Sequence, residues 1–205
     1  MQLFDSPGDY QRFLELIGRA QRRTPVQLMA YCLMPNHFHL VLRPLVDGHL
    51  SGFMHWLSTK HTQGWQAAHA CIGTGCVYQG RFKSIPVCSD AHFLRLCRYV
   101  ERNPLRAGLV KTAETWLWSS LAQRQGLRRP VRLAEWPVPR PDGWVETVNL
   151  EMMNTETEEI RSAIRRNSPY GDKVWREQTG TRLGLMGTIR PIGRPKKMGS
   201  GVISS

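Results

Sequence analysis

Apolar and polar positions follow two different periods along the N-terminal half of the chain. From Asp9 to Arg23 the apolar residues recur three and four positions apart, which predicts an amphipathic helix. Val26 to Leu33 and His37 to Arg43 are rich in apolar residues and predict two strands. Met34-Pro35-Asn36 between them is typical of a turn. The two strands are therefore expected to form a hairpin.

The pattern continues through a second helix, a strand-like segment and a third helix. Ser51 to His69 predicts a helix, and Tyr78 to Val87 is β-like. A helix is predicted from Asp90 to about Asn103, with Ser89 as its N-cap. Pro104 is expected to end this helix, because the residue before a proline is pushed out of the α region.

Beyond Gly108 the hydrophobic pattern predicts helices and strands less clearly. Residues 127–147 are rich in Pro, Arg and Trp and predict an irregular connector. Thr157 to Arg166 predicts a short basic helix, and the basic tail begins near Thr188. We divide the chain into an N-terminal domain, residues 1–125, and a basic C-terminal extension with short helices and a flexible tail, residues 126–205.

Composition narrows the classes of partner. The formal net charge is +12 and the sequence pI is about 10.1, which favour a polyanionic partner. No long apolar run or signal peptide is present, so we expect a cytoplasmic protein without a membrane partner. The odd count of five cysteines and the lack of a CxxC pair favour reduced thiols that fill the core: Cys32, Cys71, Cys76, Cys88 and Cys97.

Two histidines are candidates for metal binding. His37 and His39 lie two apart on a predicted strand, so both imidazoles project from the same side of it. Their spacing alone leaves open the alternative that both rings make ordinary hydrogen bonds and bind no metal.

The third predicted helix carries further candidate chemistry. Tyr99 and Asn103 lie one turn apart on the same flank, beside an apolar stripe, and Arg95 and Arg102 lie on the next strip of surface. A phenol can attack phosphorus, an amide oxygen can bind a metal, and guanidiniums can neutralise phosphate. The alternative is a tyrosine at the edge of the core and an asparagine that caps the helix before Pro104.

Several segments, in order along nearly the whole chain, resemble the small tyrosine transposases with a histidine–hydrophobe–histidine motif. The C-terminal segments resemble the REP-associated branch of that family. The matching segments are 31–42, 78–84, 98–110, 118–120, 169–171, Trp175, 183–185 and 193–197.

The resemblance implies an α+β ferredoxin-like sandwich with an antiparallel sheet and helices on one face. It implies cleavage of single-stranded DNA at sites beside hairpins of repetitive extragenic palindromes. Tyr99 matches the nucleophile, and His37, His39 and Asn103 match the metal ligands. The ligand types favour Mg²⁺ or Mn²⁺, and the metal, Arg95 or Arg102 is expected to favour the phenolate. The expected product is a 5′-phosphotyrosine with a free 3′-hydroxyl.

DNA contacts are expected from basic and aromatic residues. Trp56, Trp65 and Phe82 are candidates to stack on bases, with core packing as the alternative for the tryptophans. The tail resembles a minor-groove hook, and a solvated, nonspecific tail is the alternative. No GxxxxGK[ST] loop occurs, so no nucleotide cofactor is expected. The basic candidates are Arg81, Lys83, Arg95, Arg102, Arg106, Arg194, Lys196 and Lys197.

One departure from the family pattern bears on activity. Family members have a strand before the first helix, whereas here the helix pattern starts at Asp9. We expect either a start that lies further upstream or a decayed copy. The competing functions are a truncated or domesticated DNA-binding module without turnover, and a metal hydrolase that does not need Tyr99. The oligomeric state is left open.

Overall fold

The computed structural model describes residues 2–70, 77–78, 80–88 and 90–190. It has the predicted α+β composition, with one antiparallel hairpin and a set of helices around it. A short 3₁₀-helix spans Ala113–Thr115. The other elements are α1 (Pro7–Arg23), β1 (Val26–Met34), β2 (His37–Pro44), α2 (His49–Ala68), α3 (Ala91–Arg106), α4 (Ser120–Arg124), α5 (Trp144–Asn149), α6 (Asn154–Arg166), α7 (Lys173–Arg182) and α8 (Met186–Ile189).

The hairpin β1–β2 lies at the centre of the fold. Cys32 pairs with His39 and Met34 pairs with His37, while a bulge at Met29 shifts the register between Leu28 and Ala30. Every residue of β1 is buried except Gln27, which is half-buried. A strand that is apolar on both faces must be covered on both faces.

Helices accordingly cover both faces of the hairpin. Tyr31 and Leu33 point into a core with α1 and α2, whereas Cys32 and Met34 point into a second core with α3. The expectation of helices on one face only is therefore wrong. The physical reason is that both side-chain rows of β1 are apolar, so a single helical layer would leave one row in water.

The free edge of β1 is covered by segments from the second half of the chain. The Leu33 amide donates to the Trp118 carbonyl at 2.9 Å, and the Ala134 amide donates to the Leu28 carbonyl at 2.8 Å. The Ser120 hydroxyl accepts from the Tyr31 amide at 3.0 Å. These contacts satisfy backbone groups that a lone hairpin edge would expose.

The predicted strand from Tyr78 to Val87 is wrong for the residues described there. Val87 makes only an isolated bridge to Tyr170, and the rest of segment 80–88 is irregular. An extended segment becomes a strand only beside a partner, and Tyr170 is its one bridge partner in the described part of the chain. Residues 2–6, before α1, also form no strand, and the Leu3 amide donates to the Pro35 carbonyl at 2.7 Å.

Helix α3 differs from the prediction at both ends. Asp90 is the N-cap, and its carboxylate accepts from the His92 amide at 2.7 Å. Ser89, the predicted cap, lies outside the described residues. Pro104 does not end the helix, which continues to Arg106. Proline has no N–H to donate, but Pro104 lies in the last turn, where only one helical hydrogen bond is missing. The Asn103 side chain donates to the Tyr99 carbonyl at 2.9 Å in the same turn and stabilises the backbone there.

The segment after residue 125 shares a core with α3. Trp144 of α5 and Ile160 of α6 are buried in the same cluster as Phe93 and Val100. The extension is thus packed onto the helix that carries Tyr99. Residues 127–143 form no helix, in agreement with the predicted irregular connector, whereas the last residues of that connector, 144–147, belong to α5. The division at residue 125 stays a prediction.

A buried carboxylate fixes α3 against its neighbours. Glu101 is fully buried and accepts from the Trp144 indole at 2.7 Å and from the Ser120 hydroxyl. Burial raises the pKa of Glu101, although these two hydrogen bonds act in the opposite direction. The same Ser120 hydroxyl bonds to β1, so one network ties α3, α4, α5 and the hairpin together.

We predict that Glu101→Ala lowers the free energy of unfolding by about 3 kcal/mol, because it leaves buried donors without an acceptor and opens a cavity. Urea unfolding followed by circular dichroism measures the change. Glu146→Ala, an exposed glutamate of α5, serves as the control and should change stability little. An equal loss in the two variants would contradict the importance of the network.

The buried His61 makes stability depend on pH. It contacts the Phe13 ring and the Tyr78 hydroxyl, and burial lowers its pKa from 6.5 to about 4 despite the charge of Asp9. Between these values the unfolded chain binds the additional proton, so stability is lost as the pH falls.

We predict that His61 contributes a loss of about 2 kcal/mol between pH 7 and pH 5, from 1.36 kcal/mol per pKa unit. His61→Gln should flatten the pH dependence of urea unfolding by this amount. His55→Gln, an exposed position on the same helix, should keep the wild-type profile. Parallel profiles for wild type and His61→Gln would refute the assignment.

Candidate active site

The two histidines lie side by side on β2. Their ring centroids are 4.9 Å apart, and the rings are nearly perpendicular. Both face the α3 side of the hairpin, because the intervening Phe38 packs with the α1 and α2 core. This arrangement follows from the two-residue period of a strand, as the sequence predicts.

Both imidazoles are neutral near pH 7. Burial, the His37 ring and the Arg106 guanidinium lower the pKa of His39 to about 3. Burial and Arg106 also lower the pKa of His37. His37 Nδ1 lies 2.7 Å from Asn36 Oδ1, so an Nδ1–H that donates there leaves Nε2 with a free lone pair. Neutral imidazoles with a free nitrogen are the form that binds metals.

Tyr99 lies on the same side of the hairpin as the histidines. Its ring centroid is 6.0 Å from that of His39, and the residue is only 6% exposed. The apolar stripe of α3 packs on β1, and the flank beside the stripe meets β2, which explains the approach. The structure therefore brings together the phenol and the imidazoles that the sequence singled out.

Asn103 lies one turn beyond Tyr99 and is fully buried. Its Oδ1 accepts from Arg106 Nη2 at 2.6 Å, and the Arg106 guanidinium also lies 5.8 Å from the centre of the Tyr99 ring. An amide oxygen has two lone pairs, so the contact with Arg106 leaves one for a metal. The donor types of His37, His39 and Asn103 thus fit a divalent ion with open positions.

Arg161 of α6 is a residue that the sequence reasoning missed. Its guanidinium contacts Glu158 at 2.7 Å and lies beside the Tyr99 hydroxyl, and these contacts raise the pKa of Arg161. Arg161 is distant from the recognised motifs along the chain, so only a folded arrangement reveals it. The basic character of the predicted helix 157–166 was the one available signal.

The other predicted DNA-binding residues differ in their surroundings. Arg95 pairs with Glu156 at 3.3 Å, and Arg102 lies near Arg98, whose pKa is lowered by burial and by Arg102. Arg81 and Lys83 are exposed, but they lie on an irregular segment and not on a strand. Three further candidates lie outside the described residues: Arg194, Lys196 and Lys197.

The aromatic candidates divide into packed and exposed side chains. Trp65 stacks on His69 with ring centroids 3.9 Å apart, and the Arg23 guanidinium lies 5.5 Å from the Trp56 ring. Both tryptophans are half-buried beside the core of α1 and α2, which favours the packing alternative. Phe82 is 44% exposed and stays available to a base.

A second group of potential metal ligands lies at the start of α3 and α7. The ligand atoms of Cys88, Asp90 and Asp172 lie within 4.8 Å of one another. Asp90 and Asp172 also accept from the first-turn amides of their helices, so helix capping accounts for both carboxylates. Cys32 and Cys97 are buried free thiols, as predicted for core fillers.

None of the helices in the described ranges has the length and apolarity that a membrane span requires.

Comparisons with known proteins identify the family of the chain. The family described as Transposase IS200 like matches residues 1–103, which include β2 and most of α3, the helix of Tyr99. A REP-associated tyrosine transposase of Escherichia coli (strain K12) is 26% identical over 111 residues, covering 54% of this chain and 64% of that protein. The chain therefore matches less than two thirds of that relative's length. No solved structure matches the chain.

The family match covers half of the chain and contains His37, His39, Tyr99 and Asn103. The chain belongs to the IS200-like transposase family.

Proposed function

We propose that this protein cleaves and rejoins single-stranded DNA through a covalent link to Tyr99. The observation that carries the proposal is the approach of the Tyr99 ring to within 6.0 Å of the His39 ring, in a chain of a transposase family. A phenol beside paired neutral imidazoles suits phosphoryl transfer with a metal ion.

The proposed reaction is a transesterification. The Tyr99 oxygen bonds to phosphorus, the bond from phosphorus to the 3′-oxygen breaks, and the phenolic proton passes through solvent to that leaving oxygen. The products are a 5′-phosphotyrosine and a 3′-hydroxyl. The reverse attack by a 3′-hydroxyl rejoins the strand, so the phosphodiester energy is conserved.

His37, His39 and Asn103 would hold Mg²⁺ or Mn²⁺, which when bound polarises the scissile phosphate. The imidazoles keep a fixed orientation, since the Asn36 side chain bonds to His37 and the strand places His39 beside it. Arg106 lies at the Asn103 oxygen and the Tyr99 ring, so it is placed to contact the phosphate charge.

The proposed substrate is a single strand beside a hairpin of a repetitive extragenic palindrome. Similarity to the E. coli REP-associated transposase supports this choice, as does the net charge of +12. The basic residues Arg81 and Lys83 and the tail residues Arg194, Lys196 and Lys197 are proposed to contact the backbone.

We predict that Tyr99→Phe abolishes the covalent protein–DNA adduct, because the variant lacks the attacking oxygen. A labelled hairpin oligonucleotide with a single-stranded flank, incubated with Mn²⁺ and resolved on a denaturing gel, reports the adduct. Tyr10→Phe, which removes a hydroxyl from the opposite core, should keep it, and a chelator should remove it from wild type.

The outcome separates three functions. An adduct in wild type that Tyr99→Phe lacks supports the transposase. Binding without any adduct or cleavage in wild type would show a DNA-binding module without turnover. Cleavage that persists in Tyr99→Phe would show a metal hydrolase that uses His37 and His39 with water as the nucleophile.

We also predict that Arg161→Gln slows adduct formation about 10-fold to 100-fold, as expected for the loss of a hydrogen bond to a developing charge. Single-turnover kinetics at saturating DNA measure the rate. Arg165→Gln is the matched control, because Arg165 also pairs with Glu158, at 3.6 Å, and its side chain is 63% exposed. Equal rates for the two variants would remove Arg161 from the proposed site.

A further inference from the structure

A cavity of about 380 Å³ lies between α3, the end of α6 and the start of α7. Its walls include Arg95 of α3, Arg166 of α6, Arg176 of α7 and the side chain of Tyr170. Of these four residues, only Arg95 was predicted to act beside Tyr99, and the structure pairs it with Glu156 instead. The volume suits a small polar ligand or one unit of a chain.

The charges around this arginine cavity are predominantly positive. Three guanidiniums line it, whereas Glu159, an exposed residue, is the one carboxylate among the lining residues. Arg95 forms an ion pair with Glu156, with Nε 3.3 Å from Oε1. Arg176 forms no ion pair with any residue in the described ranges. An anion entering the cavity would therefore meet uncompensated positive charge.

Two buried polar atoms in these walls have no hydrogen-bond acceptor among the described residues. Tyr170 is only 4% exposed, and its hydroxyl forms no hydrogen bond of normal geometry, although the Arg95 guanidinium lies beside it. Arg176 Nε is likewise buried and without a partner in the described chain. Buried donors without acceptors destabilise a fold, and an anion in the cavity would supply the missing acceptor to both groups.

The walls are held in place by the backbone. The Tyr170 amide donates to the Pro86 carbonyl at 2.8 Å, and its carbonyl accepts from the Cys88 amide at 3.0 Å. At Gly171 a Cβ would lie 2.6 Å from the Trp175 ring, so a larger residue would push α7 away from this wall. Arg166 is fixed by the Thr188 carbonyl at 2.7 Å and by the Arg190 carbonyl. The cavity is therefore preorganised for one geometry.

We propose that the arginine cavity binds a backbone phosphate of the DNA strand on which Tyr99 acts. This inference rests on the proposed function and adds a second anchoring point to it. Arg95 and Tyr99 lie one turn apart on α3, a rise of about 6 Å along the axis, and Arg161 and Arg166 extend from the same helix α6. A strand that presents one phosphate to Tyr99 thus has a neighbouring phosphate within reach of the cavity.

The test compares two arginines of α7. In a Tyr99→Phe background, which prevents cleavage, Arg176→Gln should weaken binding of a fluorescent single-stranded oligonucleotide about tenfold, since a hydrogen-bonded charge contact is lost. The slope of log affinity against log salt should fall by about 0.7, the value for one phosphate contact with single strands. Arg182→Gln removes the same charge from an exposed position of α7 and should change the affinity less than twofold.

Tyr170→Phe gives an independent measurement. Removal of a buried hydroxyl without an acceptor should leave thermal stability unchanged or raised, yet weaken oligonucleotide binding about tenfold, as for one lost hydrogen bond to a charged acceptor. A purely structural role for Tyr170 would not separate these two readouts. Circular dichroism melts of every variant exclude unfolding as the cause.

Each contrary result has a distinct meaning. Equal affinity losses in Arg176→Gln and Arg182→Gln, or none in either, would overturn the cavity proposal, and the Tyr99 adduct of wild type would still stand. Isothermal titration calorimetry with inorganic phosphate tests whether the cavity binds a free anion and not a DNA phosphate. Phosphate binding that only Arg176→Gln loses, with unchanged DNA affinity, would assign the cavity to a free anion. Absence of any DNA binding by wild type would overturn both proposals.

Discussion

The structure depends on the burial of β1 on both of its faces. Tyr31 and Leu33 require the α1 and α2 layer, and Cys32 and Met34 require α3. At roughly 25 cal/mol for each Å² of apolar surface, neither row could remain in water without a large loss of stability. The helix of Tyr99 is therefore pressed against the histidine side of the hairpin for reasons of packing, and the candidate site is a consequence of that packing.

The two sides of α3 carry opposite kinds of charged group. On the inner side, Glu101 is buried with its hydrogen bonds to Trp144 and Ser120 complete. On the side that meets β2, the Arg106 and Arg161 guanidiniums lie around the Tyr99 phenol, with imidazoles held neutral by burial and by Arg106. The inner carboxylate fixes the helix, while the concentration of positive charge outside suits a phosphate.

The C-terminal extension takes part in both features. Its helices supply Trp144 to the Glu101 network and Arg161 to the surroundings of Tyr99. They also form most of the arginine cavity. A segment whose sequence predicts little beyond one basic helix thus supplies part of the core and one of the guanidiniums beside the proposed nucleophile.

The sequence by itself determined the local elements and the chemistry they carry. The first and last residues of α1, β1, β2 and α2 were predicted to within a few positions. The two-residue period of a strand placed His37 and His39 on the same side of β2. These features depend on neighbours along the chain, so a sequence pattern contains them. Tertiary structure decided the rest: helices on both faces, the irregular segment 80–88, and the contact of Arg161 with Tyr99. Such features depend on which distant surfaces bury each other, and a local pattern does not specify a distant partner.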